Sequence, residues 1–159
     1  CTQIINLVRG WNMISFYILP SDLSIDNVFG DIMSNVEIIK NEKAFYKHGS
    51  AFNSLKKIAS TGAYLVKMSA NATLTINGTV SNFSTTQLKK GWNLVGLPFN
   101  KTVDVQVFIN SLSCDVSVIK NFDDFYDKDN NLGGLQNLQH GKAYYIYVDS
   151  PCTISWNDF

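Results

Sequence analysis

The chain has 159 residues, and its 13 basic and 13 acidic side chains cancel. No apolar run reaches the roughly eighteen residues of a membrane-spanning helix, and without a basic excess sequence-independent nucleic-acid binding is not expected. Apolar content is 45%, which supports a real core and excludes disorder, while charged residues make up 16%, below the roughly 25% of ordinary soluble domains.

Residue Cys1 is followed by a strand over 4–8, which resumes after Gly10-Trp11 as a strand over 13–18. Ser24 then reads as a helix N-cap, because Ile25, Val28, Phe29 and Ile32 follow with i, i+3, i+4, i+7 spacing. The period changes to two at Val36 and Ile38, giving a half-buried strand, and Ala44-Phe45-Tyr46 supplies its neighbour. His48-Gly49-Ser50 forms a tip rich in turn residues, and 55–58 reads as one helical turn. Strands over 63–68 and 72–76, with Asn71 between them, close this part of the chain.

The same string then recurs. Gly10-Trp11-Asn12 matches Gly91-Trp92-Asn93 at an offset of 81. Ile39-Lys40-Asn41 matches Ile119-Lys120-Asn121 at an offset of 80, as do Phe45-Tyr46 with Phe125-Tyr126 and Ala63-Tyr64 with Ala143-Tyr144. Asp104 repeats the cap, and Val105, Phe108, Ile109 and Leu112 repeat the apolar helix face. Strands over 87–97, 143–148 and 153–156 and a helical turn over 135–138 complete the second string. The expected fold is α+β and mainly β. It comprises two tandem pseudo-symmetric units, 1–82 and 83–159, each with about five strands and one short amphipathic helix. No Gly/Ser or Pro linker separates them, so the units should pack as one pseudo-two-fold domain. Trp11 and Trp92, being duplicated, are expected to anchor the core.

Gly91-Trp92-Asn93-Leu94-Val95-Gly96-Leu97-Pro98, the following helix, and Gly141-Lys142-Ala143-Tyr144-Tyr145-Ile146 together resemble the GWNLVGLP-type repeats. Those repeats stand as accessory modules in large secreted or surface-anchored proteins of bacteria and archaea and in some large DNA virus proteins. The resemblance covers nearly the whole chain as two copies. The first copy departs from it at Ser15-Phe16-Tyr17-Ile18, which delays Leu19-Pro20, and at Thr61-Gly62-Ala63 in place of Gly-Lys-Gly. The family brings no catalytic residues and implies an extracellular, cell-surface or virion-surface setting.

Cys114 and Cys152 have Ser34 and Ala72 as counterparts, so they form either a bridge peculiar to the second copy or two buried thiols. Cys1 is left over. It reads as a segment boundary, a lipid-bearing terminus, or an N-terminal nucleophile exposed by self-cleavage. No two cysteines are spaced as zinc ligands. Four N-x-Ser/Thr sequons, at Asn71, Asn77, Asn82 and Asn100, are glycosylation candidates if the chain follows a secretory route.

Asp127, Asp129 and Asn131 have the alternate spacing of a calcium loop, but Gly133 is one position late and Leu138 stands where a bidentate Glu should close the site. A solvated hairpin tip is the simpler reading. No nucleophile elbow, zinc-protease motif or phosphate-cradling loop is present, so no catalytic residue and no cofactor are expected. Tyr145 and Tyr147 fall on one face of a strand and Tyr144, Ile146 and Val148 on the other. With Tyr126, the first two form the candidate ligand-binding face for a glycan or a protein, unless both faces are buried. The expected function is a non-catalytic adhesion, ligand-binding or spacer module flanked by other domains of a parent chain. The alternatives are a carbohydrate-binding module attached to an enzyme, or an autoprocessed segment beginning at Cys1.

Overall fold

Side-chain alternation builds the first strand, β1 (Thr2–Leu7), which turns Gln3, Ile5 and Leu7 inward and Thr2, Ile4 and Asn6 outward. A computed structural model describes residues 1–59, 62–82, 85–129 and 133–159. The first half continues with β2 (Gly10–Ser15), β3 (Ile18–Leu19), α1 (Ile25–Val28), a 3-10 segment (Gly30–Asn35), β4 (Val36–Lys40), β5 (Phe45–Lys47), β6 (Ala63–Met68), β7 (Ala72–Asn77) and β8 (Thr79–Val80). The second half holds β9 (Thr85–Leu88), β10 (Gly91–Gly96), β11 (Val103–Asp104), α2 (Val105–Ser111), β12 (Val116–Lys120), β13 (Phe125–Asp127), β14 (Asn137–Leu138), β15 (Ala143–Val148), β16 (Cys152–Ser155) and a 3-10 turn (Trp156–Asp158). The fold is α+β and mainly β.

Each half contains a four-stranded antiparallel sheet, ordered β2-β6-β4-β5 in the first and β10-β15-β12-β13 in the second. Each also has a two-stranded ribbon, β1-β7 and β9-β16. Registers recur at the sequence offsets. Gly10 faces Met68 and Gly91 faces Val148; Leu7 faces Ala72 and Leu88 faces Cys152. A register shift lies between Val36 and Ile38, and another between Val116 and Val118. Strands β6 and β7 follow one another in sequence yet belong to different sheets, as do β15 and β16.

The helical turns expected over 55–58 and 135–138 are not formed. Lys57 instead bridges Ser24, and β14 pairs with β11. Four residues are too few for period to separate strand from helix, and the apolar residues Leu55, Ile58, Leu135 and Leu138 are buried either way. Both expected caps are made. Ser24 Oγ accepts from Asn27 N–H at 3.2 Å, and Asp104 Oδ1 accepts from Gln106 and Val107 N–H at 2.9 and 3.1 Å. The first helix is shorter than its apolar spacing predicts. Gly30 follows α1, and Ile32 is buried from the 3-10 segment instead.

Among the described residues three apolar clusters form. One gathers Ile5, Leu7, Phe16, Phe29, Tyr64 and Leu74 from the first half, with the ribbon and helix packed against the sheet. A second gathers Phe108, Ile119, Tyr144, Ile146, Ile154 and Trp156 from the other half. The third joins the halves through Met13, Ala63 and Leu65 on one side and Leu94 and Ala143 on the other, with Tyr145 packed alongside. Met13 and Leu94 are counterparts by offset, as are Ala63 and Ala143, and Leu65 and Tyr145.

Candidate functional site

The Gly-Trp-Asn triplets form turns that hold an aromatic outward. Gly10 and Gly91 have φ of +93° and +96°, a backbone conformation that glycine adopts freely. Asn12 then locks the turn: its Oδ1 accepts from Val8 N–H at 3.0 Å and its Nδ2 donates to Val8 O at 2.9 Å. Asn93 makes the same two bonds with Lys89, at 3.0 and 2.9 Å. The tryptophans are therefore not core anchors, contrary to the expectation from duplication. Trp11 is 36% exposed and Trp92 41%. A lysine lies over each ring at equivalent places, Lys40 at 5.0 Å from Trp11 and Lys120 at 4.7 Å from Trp92. What the turn draws inward is the asparagine, with Asn93 buried and Asn12 half-buried, and the short spacing Gly-x-Asn was the signal for it.

The candidate tyrosines divide. Tyr144, Ile146 and Val148 are buried, so Tyr145 and Tyr147 do share the opposite face. Tyr126 is not with them. It pairs with Ile119, which pairs with Ile146, and this places it on the core face, partly buried against the second cluster. Tyr145 packs into the junction of the halves, where burial and then the negative charge of Glu42 raise its pKa above the ordinary tyrosine value. Tyr147 meets Trp92 edge-on at 5.2 Å, and Trp92 meets Tyr145 at 6.3 Å. In the first half the places of Tyr145 and Tyr147 are taken by Leu65 and Lys67, so Trp11 has no such aromatic neighbours.

Where the halves meet, Ser15 binds across. Its N–H donates to Gly141 O at 3.0 Å, its Oγ donates to Lys142 O, and Leu97 N–H donates to that Oγ at 3.2 Å. Gly96, the offset counterpart of Ser15, sits against it; a Cβ there would lie 2.5 Å from Ser15 Cβ and 2.9 Å from Gly62 O. Buried Gln3 ties the ribbon to this point, donating to Ser15 O at 3.0 Å and accepting from Tyr17 and Ile18 N–H.

Two clefts flank the junction and are built from equivalent segments. The first, about 340 Å³, is lined by Ile4, Val8 and Trp11 of the first half and by Phe122, Asp123 and Lys142 of the second. The second, about 240 Å³, is lined by Glu42 and Lys43 of the first half and by Thr86, Gln87 and Asn93 of the second. Lys142 Nζ lies 3.2 Å from Asp123 Oδ2 in the first cleft. At the second, Lys89 Nζ reaches Glu42 Oε2 at 3.6 Å. No sequence motif marked these clefts, because each joins residues far apart in the chain.

Cys114 and Cys152 form a disulfide with Cα atoms 5.7 Å apart. It ties the end of the helical segment to β16. Cys1 is free and exposed. Asn71, Asn77, Asn82 and Asn100 are all exposed, as a glycan would require. Asp127 Oδ1 accepts from Asp129 N–H at 3.1 Å, a local turn, and Asn131 lies outside the described residues. Among the described residues no group of three His, Cys, Asp or Glu is arranged to hold a metal ion, and no helix is long and apolar enough to cross a membrane. His140 packs edge-on to Tyr17 at 5.6 Å. Compared with known protein families, curated proteins and solved structures, the chain matches none of them.

Proposed function

We propose that this chain consists of two tandem copies of one unit and acts as a non-catalytic, surface-exposed binding module of a larger extracellular or virion protein. The observation that carries the reading is the set of exposed aromatics held on a hydrogen-bonded scaffold: Trp11, Trp92, Phe122 and Phe125 are each at least 36% exposed. Duplicated Gly-Trp-Asn turns fix two of them. Aromatic side chains held this way present large contact area at low entropic cost. The Cys114–Cys152 disulfide and the four exposed sequons support an oxidising, secretory route.

The surface setting is tested on intact cells or particles of the source, using a membrane-impermeant amine-reactive biotin. The exposed lysines of this chain should be labelled before lysis. Labelling only after lysis would overturn the reading.

A further inference from the structure

We propose that the first cleft is a binding site for a neutral saccharide. The inference rests on reading the chain as a binding module and goes further by naming the site and its ligand class.

The second cleft serves as an internal control. There, Lys89 and Glu42 form an ion pair. Their counterparts in the first cleft are Val8 and Phe122, 55% and 54% exposed, beside Ile4 at 63%. The fold therefore accepts a charged pair at these places and does not need apolar side chains there. An open cluster of Ile4, Val8, Trp11 and Phe122 rims a cleft at the small end of the range of about 300–1,000 Å³ in which ligands are held. Apolar side chains gathered at such a concavity mark an interaction site rather than a folding requirement.

The polar groups select the ligand. The carboxylate of Asp123 and the ammonium of Lys142 lie 3.2 Å apart with 69% and 41% of their side chains exposed, so acceptor and donor stand together and their charges cancel. Asn121 is fixed beside them because its Oδ1 accepts from Asp123 and Asp124 N–H at 2.9 Å each, leaving its Nδ2 as a donor. A pyranose answers this arrangement: its C–H face packs on Trp11 and Phe122, and adjacent hydroxyls take the carboxylate and ammonium. Lys142, the one ammonium in the cleft's lining, is already paired with Asp123, and Lys40 stands over the Trp11 ring outside that lining. The second cleft has Lys43 and Gly62 where the first has Asp123 and Lys142, and its own pair, Lys89 with Glu42, stands at the places that Val8 and Phe122 hold in the first.

The test is a binding screen of the whole chain against soluble glucans, mannans, galactans, xylan and chitooligosaccharides. One of these should bind. Val8→Lys with Phe122→Glu, which installs the second cleft's pair in the first, should weaken binding by about tenfold or more, as should Trp11→Ala, while Tyr147→Ala leaves it unchanged. Both variants alter exposed positions, and circular dichroism checks that they remain folded. The site is overturned if no neutral glycan binds or if binding survives both variants. The ligand class is overturned if a random-peptide selection yields sequences that bind in a Trp11-dependent way. Binding lost only in Tyr147→Ala would overturn the cleft and leave the binding-module reading standing, and the surface-labelling result is independent of all these outcomes.

Discussion

At the edge of the second cleft Lys89 reaches Glu42 at 3.6 Å; at the same two places around the first, Val8 and Phe122 lie open to solvent. The turns and strand registers behind both pairs are the same, down to the asparagine bonds that lock Gly10-Trp11 and Gly91-Trp92. Scaffold and rim are thus separable. One backbone supports either a self-satisfied charged rim or an apolar one, and neither choice is dictated by folding. A second contrast runs the other way. Trp92 is engaged by Tyr145 and Tyr147, whereas Trp11, with Leu65 and Lys67 in those places, lines a cleft.

The sharpest way to break this comparison is through the disulfide, which only the second half carries. Giving that half the first half's residues, Cys114→Ser with Cys152→Ala, opens a loop spanning 38 positions and should cost about 3–4 kcal/mol in urea unfolding. An unchanged midpoint would mean that β9-β16 and α2 are held as firmly without the bridge as β1-β7 and α1 are.

A smaller effect is expected at the junction. Gly96→Ala should destabilise by about 1–3 kcal/mol, because the new methyl meets Ser15 and the Gly62 carbonyl and neither is the loose end of a flexible side chain. A neutral result would show that the halves can shift apart without loss, and the two clefts would then lose their shared frame.

The mildest test asks whether the halves behave alike. Tyr64 Oη accepts from Ala59 N–H at 2.8 Å and Tyr144 Oη from Gln139 N–H at 2.9 Å, and burial raises both phenol pKa values above the ordinary one. A raised pKa in the folded state means that the folded form disfavours phenolate. The contribution is therefore complete below about pH 10 and is lost as pH rises through the folded-state values. The contribution of these two rings should be lost on the alkaline side, and ultraviolet titration should show both ionising together with unfolding. Either ring ionising in the intact fold would separate the halves.

Much of this architecture was legible because the same residue blocks recur at offsets of 80 and 81 in the two halves. Ser24 and Asp104 announce their helices by cap and spacing, and both caps are made. Where the reading failed, the missing information was three-dimensional. Which face Tyr126 occupies depends on its register with Ile119, and no local pattern encodes that. Duplication of Trp11 and Trp92 suggests burial, but the residue that locks each turn is the neighbouring asparagine, and both rings stay exposed. The clefts were hidden for the same reason, although setting Val8 and Phe122 against Lys89 and Glu42 position by position would have exposed their asymmetry.

Each ribbon pairs the opening strand of its half with the last long one: Thr2 lies opposite Asn77, and Thr85 opposite Ser155. A unit whose chain enters and leaves side by side can be spliced after another, or into a surface loop of a host domain, with little strain on either. Such a join needs only a short connecting segment on either side.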